Sequence, residues 1–164
     1  MNKAFLSIGT NKGSKIDNIR RLISYLSNHS IHILNKSSLY ETEPVGYKDQ
    51  NKFYNIVLEV EFEHTSNVLF FILKNIEHQM GRNFYKPRNS PRIIDIDILT
   101  YNNAIINNNM FTIPHIELHN RKFVLAPWSE ISSDYIVPNL NQNINKLLND
   151  TQDVSIICKL DNKY

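Results

Sequence analysis

The sequence lacks the features that mark cross-linked, membrane-bound or highly charged proteins. Cys158 is the only cysteine among 164 residues, which excludes an internal disulfide and any cysteine-based zinc site. No apolar run approaches the roughly 20 residues of a membrane span, and the apolar start of the chain is too short for a signal peptide. The net charge is only +2, which gives no support for a nucleic-acid or membrane partner. We expect a cytoplasmic protein with neither partner.

Length and composition are typical of one globular domain. A chain of 164 residues falls within the roughly 100–200 residues of a single domain and is long enough to bury a substantial core. Hydrophobic residues make up 41% and charged residues 21%, which excludes a disordered protein. We therefore expect a single domain over residues 1–164.

Hydrophobic periodicity predicts a β-α-β-β-α-β order. Period-two patterns predict strands over residues 3–8, 31–40, 53–62 and 93–101. Apolar residues three and four apart predict helices over residues 14–28 and 66–80, with two further helices near 123–131 and 143–148. This order is typical of the ferredoxin-like α+β fold. We expect a four-stranded antiparallel sheet with both main helices on one face and a C-terminal helical extension.

Helix boundaries carry their own signals. Ser14 and Asp17 have the spacing of a capping box, and Thr65 or Ser66 is expected to cap the second helix, which Gly81 ends. The second helix is expected to bury one wide stripe, which comprises Val68, Leu69, Ile72, Leu73, Ile76 and Met80.

The sharpest chemical signal is a pair of carboxylates in the fourth strand. Asp95 and Asp97 are two residues apart, so a strand places both on one face and the neighbouring isoleucines on the other. Two close carboxylates repel each other unless a cation lies between them. Oxygen ligands of this kind suit Mg²⁺, particularly where substrate phosphates complete its coordination. An incidental pair of solvated acids is the alternative.

A basic loop precedes this strand. Arg82, Lys86, Arg88 and Arg92 lie between Glu77 and Asp95 with no acidic residue among them. Guanidinium groups bind phosphate oxygens bidentately, so carboxylates beside such a loop suit polyphosphate chemistry. A merely solvated basic loop is the alternative. The G-x-x-x-x-G-K-[ST] spacing of a P-loop is absent, so another scaffold must hold any nucleotide.

Two weaker groups complete the candidates. Pro114-His115 and the Asn120-Arg121-Lys122-Phe123 run place a histidine and an arginine in loops, although such a histidine is more often structural. Phe53 and Asn55 share one face of a strand, where an aromatic ring beside an amide suits a flat, hydrogen-bonding heterocycle. Phenylalanine on a strand is otherwise ordinary core.

Together these segments resemble one enzyme family, 6-hydroxymethyl-7,8-dihydropterin pyrophosphokinase of folate biosynthesis. The resemblance covers nearly the whole chain, and its most specific motifs are Pro-Arg-x-x-Asp-x-Asp-Ile at 91–98, Pro-His at 114–115 and Asn-Arg-x-Phe-x-Leu at 120–125. It implies a ferredoxin-like enzyme that transfers pyrophosphate from ATP to the pterin hydroxymethyl group and releases AMP. It also implies ATP and 6-hydroxymethyl-7,8-dihydropterin as substrates and two Mg²⁺ ions as cofactors. We expect a monomer.

The same resemblance implies a role for each matching residue. Asp95 and Asp97 would ligate the two metal ions, and Arg82 and Arg92 would act with them as catalytic residues on the phosphates. The residues implied for ATP binding are Glu77, Arg88, Ile98, Thr112, His115 and Arg121. The residues implied for pterin binding are Thr42, Pro44, Val45, Gly46, Phe53, Asn55 and Phe123.

The chain departs from the common family pattern at several positions. Glu43 replaces a proline, Asn89 a tryptophan, and Phe84, Tyr85 and Met110 stand where basic residues occur. Fewer charges and no tryptophan in the loop predict weaker nucleotide affinity without altered chemistry. Asn89→Trp should then increase ATP affinity in a titration with a non-hydrolysable analogue.

Two other function classes share parts of this pattern. A ferredoxin-like RNA-binding module would need aromatics on its central strands, where Asp95 and Asp97 would instead repel phosphate. A metal-dependent nuclease would account for the carboxylates and arginines but not for Phe53, Asn55 and Phe123. AMP release from ATP only in the presence of a hydroxymethyl pterin distinguishes the three.

Overall fold

A computed structural model describes residues 1–45, 49–82, 90–161 and 164. Within these ranges it shows helices and strands in mixed order along the chain. The strands are β1 (Asn2–Thr10), β2 (His32–Lys36), β3 (Leu39–Thr42), β4 (Phe53–Phe62), β5 (Asp95–Tyr101), β6 (Ile106–Asn107), β7 (Thr112–Ile113), β8 (Ile136–Val137), β9 (Gln142–Asn143) and β10 (Ile157–Leu160). The helices are α1 (Lys15–Asn28), α2 (Ser66–Gln79), α3 (Lys122–Ser132) and α4 (Ile144–Asp150), with a 3-10 turn at Leu118–Asn120.

The main sheet is antiparallel in every described pairing and contains the predicted ferredoxin-like core. Its strand order is β10-β3-β4-β1-β5, and β2 also pairs with β4. The predicted second strand, residues 31–40, is divided into β2 and β3, because the backbone N–H of Ser37 donates to the Val57 carbonyl and its hydroxyl accepts from the Val57 N–H. The fourth strand starts at Asp95 rather than Ile93. The sheet has six strands rather than four. The division into β2 and β3 adds one strand, and β10, which the sequence pattern did not indicate, adds the other.

Each face of the sheet buries a separate core. Leu6 and Ile8 of β1 pack with α1 and α2 in one cluster, while Phe5 packs with α3 in the other, where Trp128 is fully buried. The two main helices therefore share one face, as expected from the β-α-β-β-α-β order. The C-terminal helices cover the opposite face, and their bounds agree with the predicted extension within two residues.

Two local predictions were only partly right. Ser14 is the N-cap of α1, but its side chain accepts no capping bond and instead donates to the Asp17 carboxylate at 2.6 Å. Thr65 caps α2 by accepting from the N–H of Val68, and Gly81 follows the helix with a φ of +96°. Val68 was wrongly assigned to the buried stripe: it is 40% exposed, because the first turn of α2 directs Ser66 and Leu69 into the protein instead.

Candidate active site

Three neighbouring strands place polar side chains at one end of the sheet face that α3 covers. The register aligns Asn55 of β4, Gly9 of β1 and Asp95 of β5 in one row, and Val57, Ser7 and Asp97 in the adjacent row. Phe5 and Leu99 bury the same face further along, and Val57, the apolar member of the second row, packs with them in the core against α3. The strands β1 and β5 therefore become polar at Ser7 and Asp97, and β4 becomes polar one row later at Asn55, which opens a cavity where the core ends.

This first cavity combines carboxylates, guanidinium groups and aromatic rings. Its lining comprises Ser7, Gly9, Thr42, Glu43, Val45, Gln50, Phe53, Asn55, Arg92, Asp95, Asp97, Arg121 and Phe123. Phe53 comes from β4 and Phe123 from the first turn of α3, so the two rings belong to different elements bordering one space. The carboxylate pair and the proposed ring-binding residues thus share one cavity.

A second cavity lies on the α2 side of β5. Its lining comprises Phe70, Leu73, Lys74, Ile96, Asp97, Ile98, Met110, Phe111, Thr112, His115 and Ile116. Asp97 belongs to both linings, so the two cavities meet at its side chain. Three of the residues implied for ATP binding, Ile98, Thr112 and His115, line this second cavity.

Gly9 permits the close packing at the floor of the first cavity. A Cβ at this position would lie 3.1 Å from Asn55 Oδ1 and 3.6 Å from a ring carbon of Phe53. Asn55 is buried and donates from Nδ2 to the Thr42 hydroxyl at 2.7 Å, which fixes the orientation of its amide. A larger residue at position 9 would displace this amide.

Asp95 is held by two arginines. Arg82 donates to its Oδ1, and Arg92 donates to its Oδ2 at 2.6 Å. Burial alone would raise the pKa of Asp95, but Arg92 and Arg82 outweigh it and keep that pKa below its usual range. Asp95 is therefore a fully ionised carboxylate at neutral pH.

Asp97 has a looser environment. Its Oδ2 lies 3.7 Å from Arg121 and 3.8 Å from Nε2 of His115. Burial lowers the pKa of His115 even though Asp97 opposes the shift, so the ring is neutral at pH 7. Its Nδ1 accepts from the N–H of Glu117 at 3.1 Å, which leaves the ring proton on Nε2, facing Asp97.

Asn11 connects this site to the loop before β4. Its backbone N–H donates to the Arg92 carbonyl and its Oδ1 accepts from the Arg92 N–H, at 3.1 and 2.9 Å. Its Nδ2 donates to the Gln50 side chain and the Asn51 carbonyl. Asn11 is 1% exposed, so these bonds are shielded from water.

Glu77 occupies a different place from the one expected for an ATP-binding residue. It is fully buried and belongs to neither cavity lining, because its Oε1 accepts from the N–H of Ile96 at 2.6 Å and from Lys74 at 2.9 Å. Arg82 lies 3.3 Å from the same oxygen. Burial raises the pKa of Glu77 against the opposing effect of Lys74 and Arg82. The Glu77 carboxylate therefore contacts Arg82 and does not contribute to the surface of either cavity.

The other candidate residues divide between the cavity, its border and the rest of the chain. Thr42 and Val45 line the first cavity, whereas Pro44 between them is buried and absent from that lining. Arg82 lines neither cavity, and it contacts the site through its bond to Asp95. Gly46 and Arg88, with Lys86, Phe84, Tyr85 and Asn89, lie outside the described residues.

Several cavity residues were missed by the sequence reasoning. Ser7 and Gly9 alternate with buried Leu6 and Ile8, so the period-two pattern of β1 could have identified them. Lys74, three residues before Glu77 on α2, is the corresponding omission in the second cavity. The signal that could have identified Lys74 was an isolated lysine three residues before an acid, in a helix whose pattern is otherwise apolar.

Comparison with known proteins identifies the family. The family model for 7,8-dihydro-6-hydroxymethylpterin-pyrophosphokinase (HPPK) matches residues 5–133. The chain belongs to this family. It is 37% identical over 157 residues to the 2-amino-4-hydroxy-6-hydroxymethyldihydropteridine pyrophosphokinase of Haemophilus influenzae, covering 94% of this chain and 96% of that protein. The chain is accordingly a pyrophosphokinase of folate synthesis.

Other relatives are longer proteins. The folic acid synthesis protein fol1 of Schizosaccharomyces pombe is 36% identical over 163 residues, which cover 98% of this chain but 22% of that protein. Among solved structures, the HPPK-DHPS of Plasmodium falciparum aligns with a TM-score of 0.70 and 19% identity, over 90% of this chain and 45% of that chain. At that identity the structural likeness confirms the fold alone.

Protein groups of the described residues do not by themselves form a metal site of three or more ligands. Among the described residues, no three His, Cys, Asp or Glu side chains cluster as metal ligands.

Across the described residues, none of the helices has both the length and the apolar character needed to cross a bilayer.

Proposed function

We propose that this HPPK-family chain transfers pyrophosphate from ATP to the hydroxyl of 6-hydroxymethyl-7,8-dihydropterin and releases AMP. One observation carries the proposal: the Asp95–Asp97 pair and the rings of Phe53 and Phe123 line the same cavity. A nucleotide tail held at the carboxylates and a bicyclic ring held by the phenylalanines would meet there. The attacking alcohol and the β-phosphorus require this proximity and alignment.

The pterin would occupy the first cavity. Phe53 and Phe123 supply the aromatic surfaces for its ring, and the Asn55 amide supplies donors and an acceptor for its polar edge. The bond from Asn55 to Thr42 holds that amide in one orientation before the substrate arrives. Thr42, Val45 and, outside the described residues, Gly46 would contribute backbone groups.

The nucleotide would occupy the second cavity and extend past Asp97. Ile98, Thr112 and His115 line this cavity, and Arg121 approaches Asp97 from the first cavity. The Nε2 proton of neutral His115 and the guanidinium of Arg121 are therefore available to phosphate oxygens on either side of that carboxylate. Lys74 also lines this cavity, and its ammonium group pairs with Glu77 at 2.9 Å.

The donor set fits Mg²⁺. Protein sites for this ion usually supply one or two carboxylates and leave the remaining positions to water and substrate phosphates. Asp95 and Asp97 provide two carboxylates on one strand face, and no described His, Cys, Asp or Glu clusters with them as a third metal ligand. We propose that they hold two Mg²⁺ ions together with the triphosphate. When bound, such ions supply charge neutralisation and acidify a ligated alcohol.

The arginines would follow the charge during transfer. Arg82 and Arg92 neutralise Asp95 in the free protein, and either guanidinium would be able to bind phosphate oxygens in place of this carboxylate. Little covalent chemistry remains for the protein, which instead aligns the reactants and stabilises charge on the leaving AMP. As the alcohol oxygen bonds to the β-phosphorus, the bond from that phosphorus to the α-phosphate oxygen breaks, AMP leaves with that oxygen, and the hydroxyl proton passes to solvent water.

A product assay tests the proposal. The protein is incubated with ATP, Mg²⁺ and 6-hydroxymethyl-7,8-dihydropterin, and AMP, ADP and pterin pyrophosphate are quantified by chromatography. We expect AMP and pterin pyrophosphate in equal amounts, and neither product with 6-methyl-7,8-dihydropterin, which lacks the hydroxyl. Release of ADP, or AMP formation that does not depend on the pterin, would contradict the proposal. A parallel reaction with single-stranded RNA tests the nuclease and RNA-binding alternatives.

A further inference from the structure

The C-terminal segment contacts both walls of the first cavity from outside. After α4 ends at Asp150, residues 151–156 run without regular structure to β10. This stretch passes the beginning of α3, and β10 then pairs with β3. The sequence alone assigned no role to the tail.

Asp153 supplies the capping bond that α3 lacks at its own N-cap. Arg121 occupies the N-cap position, but its side chain makes no capping bond. Instead, the N–H of Lys122, the first helical residue, donates to Asp153 Oδ2 at 2.8 Å. A carboxylate at a helix N-terminus satisfies an otherwise unpaired N–H and interacts favourably with the helix dipole.

Further bonds hold this carboxylate in place. The N–H of Ser155 donates to Asp153 Oδ1 at 2.9 Å, and the ammonium of Lys122 donates to the Ser155 carbonyl at 3.3 Å. The N–H of Asp153 donates to the Thr151 hydroxyl at 3.3 Å. The capping contact is therefore part of a small network between the tail and one helical turn.

That helical turn carries two residues of the active site. Arg121 and Phe123, on either side of Lys122, line the first cavity. The guanidinium of Arg121 lies 3.7 Å from Asp97 and 5.8 Å from the centre of the Phe123 ring. Any fraying of this turn would displace a phosphate-binding cation and a ring-stacking surface together.

The same segment also reaches the opposite wall. Ile157, the first residue of β10, pairs with Thr42 of β3, and Thr42 lines the first cavity and accepts from Asn55. Only three residues lie between Asp153 and Ile157, so the tail links the α3 wall to the sheet wall over a short distance.

We propose that Asp153 is a positioning residue for the pterin side of the site, an inference that rests on the proposed function. Asp153 keeps the first turn of α3 formed before substrate binds. Without this contact, part of the population has a frayed turn, and apparent affinity falls with the fraction that is competent to bind. The chemical step at saturating substrate is unaffected, because Asp153 touches no reacting atom.

Steady-state kinetics and direct binding test the proposal. Asp153→Ala removes the acceptor, and Asp153→Ser, whose hydroxyl is too short to reach the same N–H, is a second loss variant if the first does not fold. We expect KM and Kd for the pterin to rise roughly fivefold, as the loss of a typical helix cap predicts, with kcat changed less than about twofold. Asp153→Asn keeps one acceptor oxygen for the Lys122 N–H but loses the acceptor for the Ser155 N–H, so it should restore part of the affinity that Asp153→Ala loses.

Asp150→Ala is the matched control. Asp150 lies three residues earlier, is exposed and pairs with Lys146 within α4, so its loss should leave both constants unchanged. A lower unfolding temperature of Asp153→Ala with unchanged pterin affinity would overturn the proposal, as would failure of Asp153→Asn to restore binding. Pterin affinity is measured by fluorescence without ATP, so this result stands apart from failure of the wild-type protein to form AMP, which would contradict the proposed function instead.

Discussion

Asp95 and Asp97 lie two residues apart on the same strand face but have different surroundings. Both oxygens of Asp95 accept from arginines, whereas the Arg121 guanidinium and the neutral His115 ring lie 3.7 and 3.8 Å from Asp97. Asp95 is therefore neutralised within the protein, and its arginines must rearrange before it can bind a metal. Asp97 is free of such close pairing among the described residues. Two carboxylates of the same motif thus divide into one that also stabilises the fold and one that is available to ligands.

The largest expected effect is on turnover after loss of Asp97. Asp97→Ala should lower kcat by about three orders of magnitude or more, because it removes a proposed metal ligand and a bound metal supplies several kcal/mol of charge stabilisation. The thermal unfolding midpoint should change little, since the side chain makes no close ion pair with a described residue. AMP formation and circular dichroism check both expectations.

Asp134→Ala, at an exposed position in a turn, is the control for this variant. Near-normal turnover of Asp97→Ala would remove Asp97 from the proposed metal site.

Loss of Asp95 should affect stability as well as turnover. Asp95→Ala removes the carboxylate that Arg82 and Arg92 share in a largely buried position, and of the Asp95 and Glu77 carboxylates Arg82 then keeps Glu77. Removing one partner of a buried charge pair is strongly destabilising, so we expect the unfolding midpoint to fall by about 5 °C or more relative to Asp97→Ala. Differential scanning calorimetry of the two variants makes the comparison. Equal midpoints would contradict the division of roles between the two carboxylates.

A smaller effect is expected when the support behind Arg92 is removed. Asn11→Ala breaks the side-chain bonds to the Arg92 N–H, Gln50 and Asn51. Misplacement of Arg92 should lower kcat by roughly tenfold, because alignment in the site depends on its position. The exposed Asn103→Ala serves as the control in the same assay. An unchanged kcat would mean that Asp95 alone is sufficient to place Arg92.

The smallest effect is expected after the loss of the Glu130 carboxylate, whose contacts join parts of the fold. Glu130 of α3 accepts from the N–H and hydroxyl of Ser38 and from Tyr40, and pairs with Lys159 of β10. Burial would raise its pKa, but the bonds from Ser38, Tyr40 and Lys159 outweigh burial and lower it. Glu130→Gln should leave kcat within about twofold and reduce the free energy of unfolding by about 1 kcal/mol at pH 7.

This stability difference should depend on pH with a definite sign. A carboxyl whose folded pKa is lowered contributes stability above its unfolded pKa, near 4.3 for glutamate, and loses that contribution as the pH falls through the folded value. Urea unfolding of wild type and Glu130→Gln from pH 7 to 3 should show the difference shrinking below about pH 4. A difference that grows on acidification would contradict the assigned shift.

The sequence predicted most of the fold because its central strands and helices have strong periodicity. Phe53–Phe62 and the helices at 15–28 and 66–79 were found within about two residues. The sequence did not predict β10, because Ile157–Leu160 is a short segment with no hydrophobic pattern of its own. Its strand conformation comes from backbone pairing with β3. The division at Ser37 also depends on bonds to β4, which local sequence does not encode.

Prediction of the site had a similar limit. The spacing of Asp95 and Asp97 on a strand was enough to place both on one face, and Phe53 and Asn55 followed by the same rule. The burial of Glu77 depends on a neighbouring strand, because the N–H of Ile96 donates to its carboxylate. The capping of α3 by Asp153 likewise joins residues 31 positions apart. Contacts of this kind arise only from the assembled tertiary structure.

The shared position of Asp97 has a thermodynamic consequence. Its carboxylate borders both cavities, so a charged ligand in either one changes the electrostatic potential felt in the other. Linkage then requires reciprocity: whatever factor the nucleotide applies to pterin affinity, the pterin applies equally to nucleotide affinity. Cooperativity between the two substrates would therefore originate at a single side chain between them.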